Sequence, residues 1–169
     1  MNTDVYWHIL WTVYPIPAPN RQKTTISGLP EFYEKLATDK IKHEVSQPLK
    51  ALVHSSNTKP NRPILNPSSV EEDIKRLTEE KGDRIAGNLP ILDLLVRSDR
   101  VELLVKFNGD NLVQKISRLK SRSATLLSFS SDFGEGGNHT WGKGIWYAKS
   151  TDIQFAQFVK ERITQIKDA

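Results

Sequence analysis

Residues 5–14 read VYWHILWTVY, and the way this stretch divides decides the fold. In an extended chain, alternate side chains point to opposite faces. Val5, Trp7, Ile9, Trp11 and Val13 then share one face, and Tyr6, His8, Leu10, Thr12 and Tyr14 the other. Both sets are largely apolar or aromatic, so the pattern predicts a central strand covered on both sides. Pro15, Pro17 and Pro19 end it, because proline has no N–H to give a ladder.

Working outward, the pattern changes to helical spacing. Over 30–45, Phe32, Leu36 and Val45 recur at roughly helical intervals, with Pro30 suited to a first turn. Residues 55–69, rich in Ser, Asn and Pro, read as a loop. Ser69 and Glu72 have capping-box spacing before a helix whose stripe is Val70, Ile74 and Leu77, with Gly82 as the stop. Residues 89–96 (LPILDLLV) and 101–107 (VELLVKF) form a predicted hairpin across Arg97, Ser98, Asp99 and Arg100, and Asn108-Gly109 makes the next turn.

From Asp110 a second helix is expected, with Leu112, Ile116, Leu119, Ser123 and Leu126 on one side. Lys115, Arg118 and Arg122 cluster within about 60° of arc beside that stripe. Residues 130–140 are Gly-rich but lack phosphate-loop spacing, so they receive no nucleotide role. An aromatic strand follows within residues 141–150. The last helix is expected to bury Phe155, Ala156, Val159, Ile163 and Ile166, while Phe158 falls on its polar flank with Gln154, Glu161 and Gln165. The order strand, helix, hairpin, basic helix, strand, helix predicts a ferredoxin-like α+β domain, with helices packed on one face of an antiparallel sheet.

The bulk numbers narrow the function classes. At 169 residues the chain is long enough for one domain with its own core. It has no Cys, which excludes disulfides and thiolate zinc sites. No apolar run approaches the roughly 18 residues of a membrane helix, and the first residues lack the basic start of a secretory signal. A cytoplasmic protein without a membrane partner is therefore expected. The net charge of +4 permits a phosphate-bearing partner without demanding one. The four histidines, His8, His43, His54 and His139, form no i,i+2 or i,i+4 pair, so sequence assigns them no metal.

On the hairpin, Arg100 and Glu102 lie two apart and share a face. Taken alone they read as an ordinary solvated strand face. Several motifs in order add a second reading. Asp99-Arg100-Val101-Glu102-Leu103-Leu104-Val105 is similar to the Asp-His-Val-His-Leu-Leu-Val strand of the single-tyrosine HUH transposases, the small α+β enzymes of minimal insertion sequences and extragenic palindromic repeats. Leu119-Lys120-Ser121-Arg122-Ser123 resembles that family's leucine-lysine-glycine-arginine-serine helix, and Trp141-Gly142-Lys143-Gly144-Ile145-Trp146-Tyr147 its Trp-Gly-aromatic strand. Phe158-Val159-Lys160-Glu161-Arg162 aligns with the helix that carries the family's tyrosine. The resemblance covers roughly two thirds of the chain by template counting. It implies one transposase-like domain over 1–169, with an insertion at about 20–68.

In that family the two imidazoles bind Mg²⁺ or Mn²⁺, the metal polarises a phosphate of single-stranded DNA, and the tyrosine attacks it to leave a 5′-phosphotyrosine. Here all three positions are changed. Arg100 has no lone pair to offer a cation, Glu102 is a weak ligand alone, and Phe158 has no oxygen. The resemblance therefore implies a degenerate DNA-binding relative without a metal cofactor and without catalytic residues, likewise a homodimer on single-stranded or hairpin DNA. Arg100 and Glu102 would neutralise each other on an exposed face, contributing about 0–1 kcal/mol. Lys115, Arg118, Lys120, Arg122, Lys143 and Lys149 would contact phosphates, and Trp146 and Tyr147, if exposed, would stack on bases. Two alternatives stay open: an active transposase using Glu102, a distant His and Tyr147 as nucleophile, and a non-nucleic-acid interaction module on the same scaffold.

Overall fold

The computed structural model describes residues 4–13, 28–46, 64–79, 89–127, 141 and 144–168. Along the chain these form β1 (Tyr6–Thr12), α1 (Leu29–Thr38), β2 (Glu44–Val45), α2 (Pro67–Glu79), β3 (Ile91–Val96), β4 (Arg100–Lys106), α3 (Leu112–Leu127), β5 (Trp146–Ser150) and α4 (Ile153–Asp168). The strands make one antiparallel sheet in the order β2-β5-β1-β4-β3. β1 is the central strand that its two-sided pattern requires: Tyr6 registers with Lys106 of β4 on one side and with Ser150 of β5 on the other. The hairpin is present, with a register shift between Ile91 and Asp93. Gly109 follows where an added Cβ would lie 2.8 Å from the Phe107 ring, which would have to shift to admit one.

The α+β class and the ferredoxin-like core are observed. Without β2, the sheet runs β5-β1-β4-β3, with α2 before the hairpin and α3 after it, and these two helices share one face. Val70, Ile74 and Leu77 of α2 and Leu112, Ile116 and Leu119 of α3 meet Trp7, Ile9, Trp11, Val101, Leu103 and Val105 there. The expectation that helices occupy only one face needs extending. Leu29, Tyr33 and Leu36 of α1 and Phe155, Ala156, Val159 and Ile163 of α4 bury Tyr6, Leu10, Leu95, Leu104, Trp146 and Ala148 on the other. A β1 apolar on both sides leaves no alternative, since a bare face of aromatic side chains is costly in water. Among the described residues no helix is long and apolar enough to cross a membrane.

Several boundaries differ from the sequence reading. The helix over 30–45 stops at Thr38, and Val45 lies exposed in β2. Lys40 takes a left-handed backbone with φ 58°, its N–H bonds Ala37 O at 3.1 Å, and the N–H of Ile41 bonds Leu36 O at 3.0 Å. This is the pairing that closes a helix around a left-handed residue, usually glycine. A lysine in that place hid the stop. α2 begins at Pro67, two residues before the expected cap: Asn66 Oδ1 accepts the N–H of Ser69 at 3.3 Å. Ile166 is half-buried on α4. Pro15, Pro17, Pro19, most of the 55–69 loop, Gly82 and residues 130–140 lie outside the described residues, as do His54 and His139.

Lys40 yields a stability prediction. A left-handed backbone costs an L-residue roughly 1–2 kcal/mol, and glycine removes that cost while adding roughly 0.5–1 kcal/mol of unfolded-chain entropy. Lys40→Gly is expected to stabilise the protein by up to ~1 kcal/mol, read as a higher urea midpoint at unchanged slope. A lower midpoint would contradict this account of the helix end.

Candidate functional site

β4 carries Arg100 and Glu102 onto the face that α1 and α4 cover. Glu102 is not on a solvated surface: it is 0% exposed, so the expectation of an exposed pair is corrected. The cause is α4, which lays Arg162 over it. Arg162 Nη2 donates to Glu102 Oε1 at 2.9 Å and its Nε to Oε2 at 3.4 Å. Arg100 Nε donates to Oε1 at 3.0 Å, and His8 Nε2 lies 3.2 Å from Oε2. Each oxygen thus receives two donors, the full complement of a carboxylate. Phe32 of α1 lies under the Arg162 guanidinium, 5.6 Å from centroid to carbon. Asp99 Oδ1 accepts from Arg100 Nη1 at 3.0 Å.

The chain of contacts continues through His8. Its Nδ1 is 2.6 Å from Tyr33 Oη, within the buried core. His8 donates Nε2–H to Glu102, because an ionised carboxylate can only accept, and its Nδ1 shares the second hydrogen bond with the Tyr33 hydroxyl. Two guanidinium groups then balance the carboxylates of Glu102 and Asp99, which is what a buried cluster requires. Burial pushes the Tyr33 phenol well above its ordinary value and the Glu102 charge adds to this, against an opposing effect of Arg162, so the phenol keeps its proton. Burial alone would raise the Glu102 carboxyl too. The His8 hydrogen bond and the electrostatic attraction of His8, Arg162 and Arg100 outweigh it and hold the carboxyl well below the usual range. Arg100 is desolvated, yet Glu102 and Asp99 more than compensate and hold its proton more tightly.

This arrangement is a lock more than an open reaction centre. Glu102 has no lone pair left for a cation, and no group of three His, Cys, Asp or Glu side chains suited to a metal occurs among the described residues. Phe158, one turn before Arg162 on α4, is half-buried against the same core, with Lys35 Nζ 5.7 Å from its ring centroid. Tyr147, considered above as a nucleophile, packs on Trp7 at 5.2 Å on the opposite face of the sheet and cannot share a site with Glu102. The sequence reading missed His8, Tyr33 and Arg162. Arg162 left one signal: it falls seven residues after Phe155 and three after Val159, a charge on the apolar stripe of α4.

The basic residues lie elsewhere. α3 sits on the face opposite Glu102, so the basic helix and the altered positions do not converge in one pocket. Arg118 and Arg122 are exposed and Lys115 is half-buried. With Asn111, Gln114, Ser117 and Ser121, Lys115 and Arg118 line a concavity of about 560 Å³, with no acid among the described residues of its wall. Lys120 points away from that role: its Nζ donates to Gly144 O at 3.0 Å, and burial lowers its pKa to about 8. Lys149 lies over the Trp7 ring at 5.1 Å and 3.8 Å from Glu44. Trp146 is 0% exposed and unable to stack on a base. Lys143 lies outside the described residues. No protein-family profile matches the chain, and no curated protein matches it.

The cluster makes stability depend on acid. The folded-state pKa of Glu102 lies below its unfolded value of about 4.3, so its contribution is full above that value and drains away as pH falls beneath it. The wild-type urea midpoint is expected to drop between pH 5 and 3, and Glu102→Gln to flatten that drop. Glu102→Ala strands the buried Arg162 guanidinium, leaves Arg100 with Asp99 alone, and is expected to cost about 3–5 kcal/mol at pH 7. A Glu102→Ala protein of wild-type stability would refute the lock.

Proposed function

We propose that this chain is a DNA-binding domain on a transposase-like scaffold, without metal-dependent strand cleavage. The observation that carries the reading is α3. Its sixteen residues, Leu112–Leu127, include four basic side chains and no acidic one. Nothing on this helix can neutralise Lys115, Arg118 and Arg122, and the concavity beside the first two adds Asn111, Gln114, Ser117 and Ser121 as hydrogen-bond partners for phosphate oxygens. The other described helices carry acids among their bases. Absence of cleavage is supported by Glu102, whose lone pairs are taken by Arg162, Arg100 and His8, and by Phe158, which has no nucleophilic atom.

Phosphate contact of this kind gives affinity that is insensitive to sequence and sensitive to salt. Three contacts on a single strand predict a log–log salt slope near −2, at about −0.7 per contact. Fluorescence anisotropy with a labelled hairpin oligonucleotide tests this. Arg118→Glu is expected to weaken binding at least tenfold at low salt and to make the slope shallower by about one contact, about 0.7. No binding of single- or double-stranded DNA at low salt would sink the reading in favour of an interaction module. A covalent protein–DNA adduct in Mg²⁺ or Mn²⁺ would overturn the absence of cleavage while leaving the binding surface in place. The homodimer belongs to the same reading, and its mass in solution is measured by light scattering.

A further inference from the structure

Next to β2, a cleft of about 490 Å³ gathers side chains from distant parts of the chain: Lys42, His43 and Glu44 on one side of the sequence, Lys149 and Thr151 on the other, with Val5 supplying an apolar surface. Its size falls within the range of small-ligand pockets, roughly 300–1,000 Å³. The Lys42 ammonium has no partner among the described residues. Lys149 Nζ is carried above the Trp7 ring and stands 3.8 Å from a Glu44 carboxylate that is 78% exposed, too far for a hydrogen bond and free to swing out. His43 donates Nδ1–H to Ile41 O at 3.0 Å, and its ring packs on Tyr33 and Phe155 at the inner wall of the cleft. Ser150 donates its hydroxyl to Lys42 O and accepts the N–H of Asp152 at 3.0 Å, tying the two sides of the cleft together.

We propose that this cleft binds a phosphate monoester carried on a body of nucleotide size. The charges match. A monoester carries about −1.5 to −2 at neutral pH; the cleft offers two ammonium groups against one loosely held carboxylate. Lys42 and Lys149 take the phosphate oxygens, the Thr151 hydroxyl donates a third hydrogen bond, and Val5 offers an apolar surface to the body of the ligand. The ligand is either a free mononucleotide or the phosphorylated 5′ end of a strand. The cleft shares no residue with the α3 surface, so this proposal does not rest on that one.

Isothermal titration of the full chain with thymidine 5′-monophosphate tests it. Lys42 and Glu44 are both exposed, so substitutions there leave the core untouched. Saturable binding is expected, weakened at least fivefold by Lys42→Gln, tightened two- to fivefold by Glu44→Gln and unchanged by Arg118→Glu. A purely structural role would not give opposite signs at Lys42 and Glu44. A 5′-phosphorylated oligonucleotide that binds more tightly than the mononucleotide, in a way Lys42→Gln abolishes, assigns the strand end; equal affinity assigns the free nucleotide. The proposal is overturned by no saturable binding at millimolar nucleotide, by inorganic phosphate binding as tightly as the nucleotide, or by Lys42→Gln without effect.

Discussion

A carboxylate with no access to water sits beneath the last helix of this protein, and its neutralisation conditions everything around it. Glu102 is buried at the centre of β4, and four donors from His8, Arg100 and Arg162 converge on it. An isolated buried charge would cost many kilocalories per mole, so the carboxylate is tolerable only while those donors stay in place. They come from β1, β4 and α4, and Tyr33 of α1 holds the far nitrogen of His8. One side chain thereby couples four elements. Replacing a whole buried set of this kind with apolar residues of equal volume is often neutral for stability; what the cluster supplies is orientation, because α4 satisfies Arg162 in only one register against the sheet.

The same constraint separates the molecule into two working faces. The α1 and α4 side is closed, aromatic and internally paired, with His8, Tyr33, Phe32 and Trp146 in mutual ring contact. The α2 and α3 side is apolar within, and on its outside α3 has four bases and no acid while α2 mixes both signs. Interaction with a polyanion through α3 therefore would not disturb the charge balance around Glu102, which is shielded by the thickness of the sheet. A side chain can be locked on one face while the opposite face stays open to a partner.

Much of this was legible in the sequence, for a reason that can be stated. The two-sided apolarity of residues 5–14, the alternating hairpin and the stripe of α3 are local periodicities, and local periodicity reports burial directly. The cluster was not legible, since its members lie at positions 8, 33, 100, 102 and 162 and nothing local links them. His8 alternates onto the same face as Leu10 and reads as one more core residue. Glu102 beside Arg100 reads as a surface pair until a third element covers both. The end of α1 was hidden by Lys40, which adopts the backbone shape expected of glycine. Within the basic set, the exposed outer face of α3 was foreseen, but the tether from Lys120 to Gly144 was not, because a lysine beside an apolar stripe is as apt to be held back as to reach outward.

The sheet order has a consequence for how the chain reaches its native state. β1 is made early, yet its neighbours are β4 and β5, with Tyr6 registered against Lys106 and Ser150. Its aromatic faces must wait for β4 and β5 to emerge before its two edges are paired. Such long-range pairing is slow, and an unpaired apolar strand is prone to association in the meantime. Synthesis of β1 ahead of its partners thus opens a vulnerable interval in which the future centre of the sheet is a sticky ribbon, one that a chaperone holding that nascent strand would protect.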